Sequence, residues 1–242
     1  MKKIALIPAR YAATRFPFKL MQPLGNKTVI RHTYDNTVAT GLFDEVIVVT
    51  DSEIIFNEII SNGGSAVMSL KEHESGSDRI AEAVENMDVD IILNVQGDEP
   101  FIDKDSLDKL LRAFDDNAVM VASLMKVFSD SSLISNPNYV KVVVDKNHNS
   151  LLFSRSVIPY HRDTSIDATY YEHIGVYAFR KKALLDFTKW APTPLELAEK
   201  IECLRYLENG VSLKMIETTH QGVKIDVPED LVKADAYLKS IS

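Results

Sequence analysis

The amino-acid sequence predicts an α/β protein built on a doubly wound, mostly parallel mixed sheet. Two observations carry this prediction. The first hundred residues alternate short apolar runs with helical segments, and this β-α-β-α-β order is that of a parallel sheet with helices on both faces. The runs over Glu45–Thr50 and Asp90–Val95 are almost continuously apolar, which is typical of strands that are buried on both faces.

Local signals mark each element of the first half. The apolar run Ile4–Ile7 predicts a strand that stops at Pro8, and Thr28–Thr40 predicts a helix that ends at Gly41. The elements that follow are a helix capped by Asp51-Ser52 that runs to Ile60 and ends at Asn62-Gly63-Gly64, a strand over Ala66–Met68, and a helix capped by Ser77 that runs through Val84.

The middle of the chain changes character and predicts antiparallel or mixed additions to the sheet. Its strand-like runs are separated by turns and cover Val119–Val127, Val140–Val144, Leu151–Phe153 and His173–Phe179. The segment Ser154–Thr169 lacks periodicity, and we expect it to cover a site.

A capped helix and two further elements complete the chain. Thr193-Pro194-Leu195-Glu196 combines a cap, a first-turn proline and a capping-box glutamate. The helix they predict has an apolar stripe and ends at Gly210; the stripe is Leu197, Ile201, Leu204 and Leu207. A strand near Leu213–Ile216 and a last helix from Val227-Pro228-Glu229 follow. Since no linker is visible, we expect residues 1–242 to form a single domain with a mixed-sheet portion around 120–210.

Composition excludes several classes of protein. The net charge of -8 and the pI near 5.3 argue against non-specific binding to nucleic acid, which needs a basic surface. No apolar run approaches the roughly 20 residues of a membrane helix. The single cysteine, Cys203, cannot form an intrachain disulfide and favours a reducing compartment, so we expect a cytoplasmic protein.

Three cations follow the first predicted strand. Arg10, Arg15 and Lys19 would repel one another on one loop unless an anion joined them, and ligands of open α/β sheets bind at the carboxyl ends of the strands. The sequence contains no glycine-rich dinucleotide or P-loop fingerprint, so these cations are its candidate ligands for a polyanion such as a nucleoside triphosphate. The alternative is an ordinary solvated basic loop.

Carboxylates and a helix start complete the candidate site. Asp98 and Glu99 follow a buried strand at the same sheet edge, where they are either Mg²⁺ ligands or turn-forming acids. Asp226 precedes the last helix and is, on spacing alone, a candidate N-cap. Ser75-Gly76-Ser77-Asp78-Arg79 opens a helix that either accepts a base or phosphate closely or is an ordinary cap.

Other chemical signals are weak. The six histidines show no metal-like spacing, and His173 lies on a strand, where a lone histidine is usually structural. Cys203 falls on a predicted amphipathic helix and is interpreted as a packing residue rather than a nucleophile.

Eight motifs, taken in order along nearly the whole chain, resemble the 3-deoxy-manno-octulosonate cytidylyltransferase (CMP-Kdo synthetase) family. They read IPARYAATRFPFK, EHESGSDRIAE, NVQGDEP, NPNYVKVV, FSRSVIPYHRD, HIGVYAFR, TPLELAEKIECLR and IDVPEDL. The resemblance implies a nucleotidyltransferase (nucleotide-diphospho-sugar transferase) type of doubly wound sheet, usually homodimeric. It implies transfer of CMP from CTP to the anomeric hydroxyl of Kdo with Mg²⁺, releasing pyrophosphate, for lipopolysaccharide assembly.

The resemblance also assigns site residues. Arg10, Arg15 and Lys19 match its triphosphate loop, where Lys19 and Arg15 would stabilise the leaving pyrophosphate. Asp98 and Asp226 match its metal ligands. The cytidine-contacting positions are Ser75, Gly76 and Arg79, and the sugar-acid positions are Gln96, Arg155, His173, Tyr177 and Glu202. No side-chain general base is identified.

The sequence departs from the family pattern at three positions. Ala13 lacks the hydroxyl that many members have, and Phe18 replaces a glycine, which predicts a stiffer loop before Lys19. Cys203 stands where many members carry a glutamine beside Glu202, which leaves the exact sugar open.

Three alternatives remain open at this point. The first is a cytidylyltransferase for another acidic sugar, such as a sialic acid or an amino-substituted Kdo. The second is a non-catalytic nucleotide-binding protein, against which the joint presence of Lys19, Asp98 and Asp226 argues. The third is a glycosyltransferase, which would share the strand-end acids but would not need the basic loop.

Overall fold

The computed structural model describes residues 1–12, 16–71, 73, 75–220 and 222–241. Within these ranges the chain divides into two compact units. The first unit is Met1–Lys104 with Gln221–Ser242, and the second is Asp105–His220. The second unit contains the portion around 120–210 that the sequence sets apart; the predicted single domain stays a prediction.

The strands are β1 (Lys3–Ala9), β2 (Pro23–Leu24), β3 (Lys27–Thr28), β4 (Glu45–Thr50), β5 (Ala66–Met68), β6 (Ile91–Asn94), β7 (Val121–Val127), β8 (Lys141–Val144), β9 (Ser150–Ser154), β10 (Tyr171–Arg180) and β11 (Lys214–Glu217). The α-helices are α1 (Val29–Ala39), α2 (Glu53–Ser61), α3 (Gly76–Val84), α4 (Lys104–Arg112), α5 (Lys181–Phe187), α6 (Pro194–Glu199), α7 (Leu204–Glu208) and α8 (Pro228–Ile241). None of the helices described here is long and apolar enough to cross a membrane.

A parallel sheet forms the core of the first unit. Its strands lie in the order β6-β1-β4-β5, and each neighbouring pair is parallel. The central strands β1, β4 and β6 are almost wholly buried, as their continuous apolar runs predict. Because the strands are parallel, β1, β4 and β6 end at the same sheet edge, and the residues that follow them meet there. The predicted doubly wound α/β fold is confirmed.

Pro8 does not end the first strand, contrary to the sequence prediction. β1 pairs with β4 through Pro8 and Ala9, whereas its pairing with β6 ends at Leu6. Beyond Leu6 the side of β1 that faces β6 forms no further strand pairing, so proline, which has no N–H, is tolerated there.

The helix starts of the first unit agree only in part with the predicted caps. Thr28, which the sequence places inside the predicted helix, caps α1 by accepting a hydrogen bond from the N–H of Arg31. The cap of α3 is Ser75, which accepts from the N–H of Asp78, and not Ser77, which is buried in the first turn of the helix. Ser52 occupies the N-cap position of α2 without a side-chain capping bond.

The second unit contains a mixed sheet around β7. β10 pairs antiparallel with β7 on one side and β11 pairs parallel with it on the other, while β8 pairs antiparallel with both β9 and β10. The register between β10 and β7 shifts between Ile174 and Tyr177. The predicted mixed or antiparallel character of this region is therefore confirmed.

The long helix predicted from Thr193 to Gly210 is wrong; the segment forms two short helices. The capping glutamate behaves as predicted, because Glu196 accepts from the N–H of Thr193 at 3.1 Å. However, α6 ends at Glu199, the next residue Lys200 has a left-handed φ of 53°, and α7 begins only at Leu204. Arg155 donates to the carbonyl oxygens of Glu199 and Lys200, so tertiary hydrogen bonds replace the helical ones. Leu197 of the predicted stripe is 52% exposed as a result.

Phe18 adopts a backbone conformation that favours glycine. Its φ is 59° and its ψ is 24°, and it immediately precedes the short 3-10 helix Lys19–Met21. The ring is 46% exposed and packs on Tyr11 with 4.4 Å between ring centroids. The ring contact therefore accompanies a strained backbone at the position where the family pattern has glycine.

We predict that Phe18→Gly is more stable than Phe18→Ala by about 1 kcal/mol, because both remove the ring but only glycine relieves the left-handed strain. Urea unfolding of the two variants side by side measures this difference directly. Equal stabilities would show that residue 18 relaxes to another conformation once the ring is gone.

Candidate functional site

A polar cavity of about 320 Å³ lies in the first unit. It is bounded by the residues that follow β1 and β6 and by the start of α3, together with Asp226. Its lining residues are Pro8, Ala9, Arg10, Phe16, Lys19, Leu20, His73, Ser75, Gly76, Arg79, Gln96, Gly97, Asp98 and Asp226. All these residues belong to the first unit, so the sheet edge and the cavity coincide as the strand order predicts.

Three charged residues from distant parts of the chain meet in this cavity. The ammonium of Lys19 forms an ion pair with the buried carboxylate of Asp98 and lies 3.3 Å from Oδ1 of Asp226. A backbone hydrogen bond of 3.0 Å from the N–H of Ile225 to the carbonyl of Asp98 holds the two carboxylate segments side by side. The family-derived pairing of Asp98 with Asp226 is thus supported by local geometry.

Helix α1 fixes the segment that carries Asp98. Thr33 donates to the carbonyl of Gly97 at 2.9 Å, and Asn36 donates to the carbonyl of Pro100 at 2.6 Å. A Cβ added at Gly97 would lie 3.2 Å from Ile30 and 3.3 Å from the carbonyl oxygen of Pro8. Glycine therefore allows the chain to pass close to β1 and α1 at this point.

Arg79 is buried and bonded to the protein itself. It donates to the carbonyl of Ala9 at 3.1 Å and to the carboxylate of Asp51 at 2.6 Å. Ala9 is the last residue of β1 and Asp51 directly follows β4, so Arg79 joins the carboxyl ends of these two strands. The residue predicted to contact cytidine lines the cavity, and its visible role is to position the loop that bears Arg10.

His73 is a cavity residue that sequence reasoning missed. Its Nε2 lies 2.8 Å from the carboxylate of Glu82, which also accepts from the N–H of Leu70 at 3.2 Å. Ser75 donates from its hydroxyl to Asp78 at 2.8 Å, and so is occupied within the first turn of α3. The quoted motif EHESGSDRIAE contains all four of these polar side chains, but the nine-residue separation of His73 and Glu82 gives no local signal of their pairing.

Glu99 lies next to the charged cluster without entering the described ion pairs. Burial raises the pKa of its carboxyl to about 7; Lys224 and Lys19 oppose this rise, while Asp98 and Asp226 add to it. Burial thus favours the neutral form of the Glu99 carboxyl, which is a poorer ligand for a cation than a carboxylate.

The donor set suits a hard cation held jointly with phosphates. One ammonium contacts both Asp98 and Asp226, so their oxygens face a common point that already carries a positive charge. In the part of the chain that the structure describes, no group of three or more His, Cys, Asp or Glu residues is arranged as a metal site. Two carboxylates without further protein ligands match Mg²⁺, which commonly takes its other ligands from water and substrate phosphates.

A buried polar cluster in the second unit contains three of the predicted sugar residues. The rings of His173 and Tyr177 lie 5.4 Å apart between centroids, and Tyr177 shares a hydrogen bond with Cys203. Burial raises the pKa of both the Tyr177 hydroxyl and the Cys203 thiol, and the charge of nearby Glu202 adds to each rise. Cys203 is thus a protonated packing residue, as the sequence predicts.

The tautomer of His173 follows from counting donors. The Ser123 hydroxyl lies 3.0 Å from Nε2 of His173, 3.1 Å from the carbonyl of Ile174 and 2.8 Å from the carbonyl of Val176. A serine has one proton and both carbonyls can only accept, so Nε2 of His173 donates to Ser123. Burial lowers the pKa of His173 to about 4, so the ring is neutral at pH 7 and its Nδ1 is an acceptor.

Arg155, the predicted carboxylate ligand, is bonded to backbone carbonyls. Its guanidinium donates to Glu199 at 2.6 Å, Pro137 at 2.8 Å and Lys200 at 3.3 Å. The fully buried Lys141 donates to the carbonyl of Arg155 itself at 2.5 Å. In this structure Arg155 therefore fixes a turn, and its binding of a sugar carboxylate stays a prediction.

The structure brings together most of the predicted nucleotide and metal residues. Arg10, Lys19, Ser75, Gly76, Arg79, Asp98 and Asp226 line the one cavity, and so does Gln96. Arg15 and Ala13 lie outside the described residues. Arg155, His173, Tyr177 and Glu202 belong to the second unit, and only the last three form a cluster there.

Comparisons with known proteins identify relatives of this chain. A family model described as Cytidylyltransferase matches residues 4–218. A 3-deoxy-manno-octulosonate cytidylyltransferase from Flavobacterium johnsoniae is 59% identical over 244 residues, covering 100% of both chains. The same enzyme from Christiangramia forsetii is 60% identical over 238 residues, covering 97% of this chain and 96% of that protein. The solved structure of CMP:2-keto-3-deoxy-manno-octonic acid synthetase complexed with CTP is 34% identical, with a TM-score of 0.96 and 100% coverage of both chains.

We predict that His173 makes the protein less stable as the pH falls. The unfolded chain takes up this proton near pH 6.5 and the folded protein only near pH 4, so the stability present above pH 6.5 is lost between these values. The loss from pH 7 to pH 5 should be about 1–2 kcal/mol. Urea unfolding at both pH values should show a smaller loss in His173→Gln, whereas His161→Gln, at a partly exposed position, should behave as wild type. An unchanged pH dependence in His173→Gln would contradict the assignment.

Proposed function

Because the chain belongs to the 3-deoxy-manno-octulosonate cytidylyltransferase family, we propose that it transfers CMP from CTP to the anomeric hydroxyl of Kdo and releases pyrophosphate. The observation that carries the proposal is the meeting of Lys19, Asp98 and Asp226 in the cavity that Arg10 also lines. Cations for a triphosphate and carboxylates for a metal are both required by this reaction, and they occur together there. The product would serve lipopolysaccharide assembly.

The reaction is an in-line displacement at the α-phosphorus. The bond from the anomeric oxygen to the α-phosphorus forms, the bond from that phosphorus to the α,β-bridging oxygen breaks and pyrophosphate leaves with it, and the hydroxyl proton passes to water. Such transfers depend on positioning and on charge neutralisation. Arg10 and Lys19 are the described cations that would hold the triphosphate, and Lys19 would stabilise the charge that gathers on pyrophosphate.

Asp98 and Asp226 are the residues that would hold Mg²⁺. When bound, the ion would neutralise phosphate charge and lower the pKa of the attacking hydroxyl. The two carboxylates are already positioned by the hydrogen bond from Ile225 to Asp98 and by the anchoring of Gly97 to α1. Their arrangement therefore does not depend on the ion to assemble it.

The start of α3 is the proposed cytidine site. A Cβ added at Gly76 would lie 3.3 Å from Pro8, so a larger residue would crowd the wall of the cavity where the helix begins. Ser75 and His73 flank this point, and both are held by carboxylates of α3. Arg79 positions the adjacent backbone by donating a hydrogen bond to the carbonyl of Ala9.

The sugar-acid positions that the resemblance implies are kept as a proposal for hydroxyl binding: His173 and Glu202 in the second unit, and Gln96 in the first. The neutral His173 offers Nδ1 as an acceptor, and glutamine and glutamate suit hydroxyls equally. Tyr177 packs against His173 and fixes its ring. Arg155 is proposed as the ligand of the sugar carboxylate. Its hydrogen bonds to the carbonyls of Glu199 and Pro137 set the orientation of the guanidinium.

The proposed setting is a cytoplasmic homodimer. A reducing compartment fits the single thiol, which is buried. Leu151, Leu195 and Leu197 of the second unit are exposed apolar side chains, and such surface favours association with a second copy. Light scattering at micromolar concentration should give twice the mass of 27.2 kDa.

We predict that pyrophosphate release requires CTP, Kdo and a divalent cation together. The assay compares CTP with ATP, and Kdo with an amino-substituted Kdo and a sialic acid, each with and without excess chelator. Asp98→Asn should lower kcat by roughly 10²-fold or more, as removal of one transition-state stabilising group typically does. The control is Asp105→Asn on α4. Asp105 forms an exposed ion pair with Lys109, so this substitution should leave turnover unchanged.

Each arm of the assay tests a separate part of the proposal. Equal turnover with ATP would contradict the cytidine site, and a preference for sialic acid would contradict the assigned sugar. Full activity in excess chelator would contradict the metal role of Asp98 and Asp226.

A further inference from the structure

Lys19 occupies the point at which the two proposed metal ligands meet. Its ammonium pairs with Asp98 and lies 3.3 Å from Asp226, while its side chain is only 18% exposed. Lys224 adds a second, more exposed ammonium 3.9 Å from the other oxygen of Asp226. The two carboxylates thus hold positive charge contributed by the protein itself.

An ammonium and a divalent cation cannot share these oxygens without strong repulsion. Two positive charges about 4 Å apart near a protein surface repel each other far more strongly than they would in bulk water. A cation that binds Asp98 and Asp226 must therefore displace Lys19, and the displaced ammonium needs another anion. The lysine stem is flexible, and the same cavity is where the triphosphate is proposed to lie.

We infer that Lys19 is an internal counter-cation that exchanges partners, leaving Asp98 and Asp226 for the phosphates of the nucleotide when the divalent cation binds. The inference rests on the proposed function. It makes the two ligands mutually dependent, because each binds more tightly when the other is present. Without nucleotide the carboxylates stay neutralised by Lys19, and the protein has little affinity for the free cation.

The test measures Mn²⁺ binding in the absence of nucleotide, by the electron paramagnetic resonance signal of the free ion. Wild type and the charge-conserving Lys19→Arg should both bind weakly. Lys19→Met and Lys19→Gln remove the charge and should bind roughly tenfold more tightly or better, since a contacting like charge no longer opposes the ion. Two neutral variants are used so that misfolding of one, checked by circular dichroism, leaves the other.

Two controls locate the effect. Lys224→Met removes the exposed ammonium beside the same Asp226 and should change Mn²⁺ affinity by no more than about fivefold, as expected for an exposed pair. The double variant Lys19→Met/Asp98→Asn should lose the gained affinity. A gain that survives the loss of Asp98 would overturn the inference, because the ion would then bind elsewhere.

The inference and the proposed function fail differently. If turnover needs a divalent cation and Asp98→Asn abolishes it, but neither neutral variant binds Mn²⁺ more tightly than wild type, the counter-cation role of Lys19 is overturned and the proposed function stands. If turnover is independent of divalent cations, the proposed function fails at its metal site and the inference falls with it.

Discussion

The ion pairing of Lys19 with Asp98 and Asp226 is the interaction on which the arrangement of the cavity depends. It joins residues that are 79 and 207 positions apart along the chain. Two carboxylates placed side by side repel each other, and a cation between them offsets that repulsion. The chain supplies that cation itself, so the cavity is assembled before any ligand neutralises it.

The parallel sheet provides the frame for this interaction. Register pairs β1 with both β4 and β6, so the segments after these strands must leave the sheet at one edge. Small contacts then fix each segment: Thr33 holds Gly97, and Arg79 holds Ala9 and Asp51. Because each of these bonds uses a backbone carbonyl or a carboxylate at a strand end, the positions of the functional side chains are determined by the sheet and not by flexible loops alone.

The sequence predicts those parts of the fold that local patterns control. Continuous apolar runs predict β1, β4 and β6 because both faces of a central strand are buried, and Gly41 and Gly210 end their elements through positive φ values. Prediction from local patterns fails where a residue distant in sequence determines whether a helix or strand continues. Arg155 takes the carbonyls that would have continued α6, and the one-sided pairing of β1 lets the strand run through Pro8; neither partner is visible in a local window.

The same distinction explains which site residues could be identified. Position after a buried strand and charge make Lys19 and Asp98 candidates, since a parallel edge collects the segments that follow its strands; their roles come from the resemblance. Position and charge do not separate an arginine that holds a ligand from one that holds the backbone: Arg79 and Arg155 both donate to carbonyls, and so does the buried Lys141. A buried cation with carbonyl partners stiffens its loop, because its hydrogen bonds cannot be replaced by water. Lys19 differs in that its partners are two carboxylates in a cavity. A divalent cation can replace its ammonium on these carboxylates, and the phosphates of a nucleotide can then pair with the ammonium.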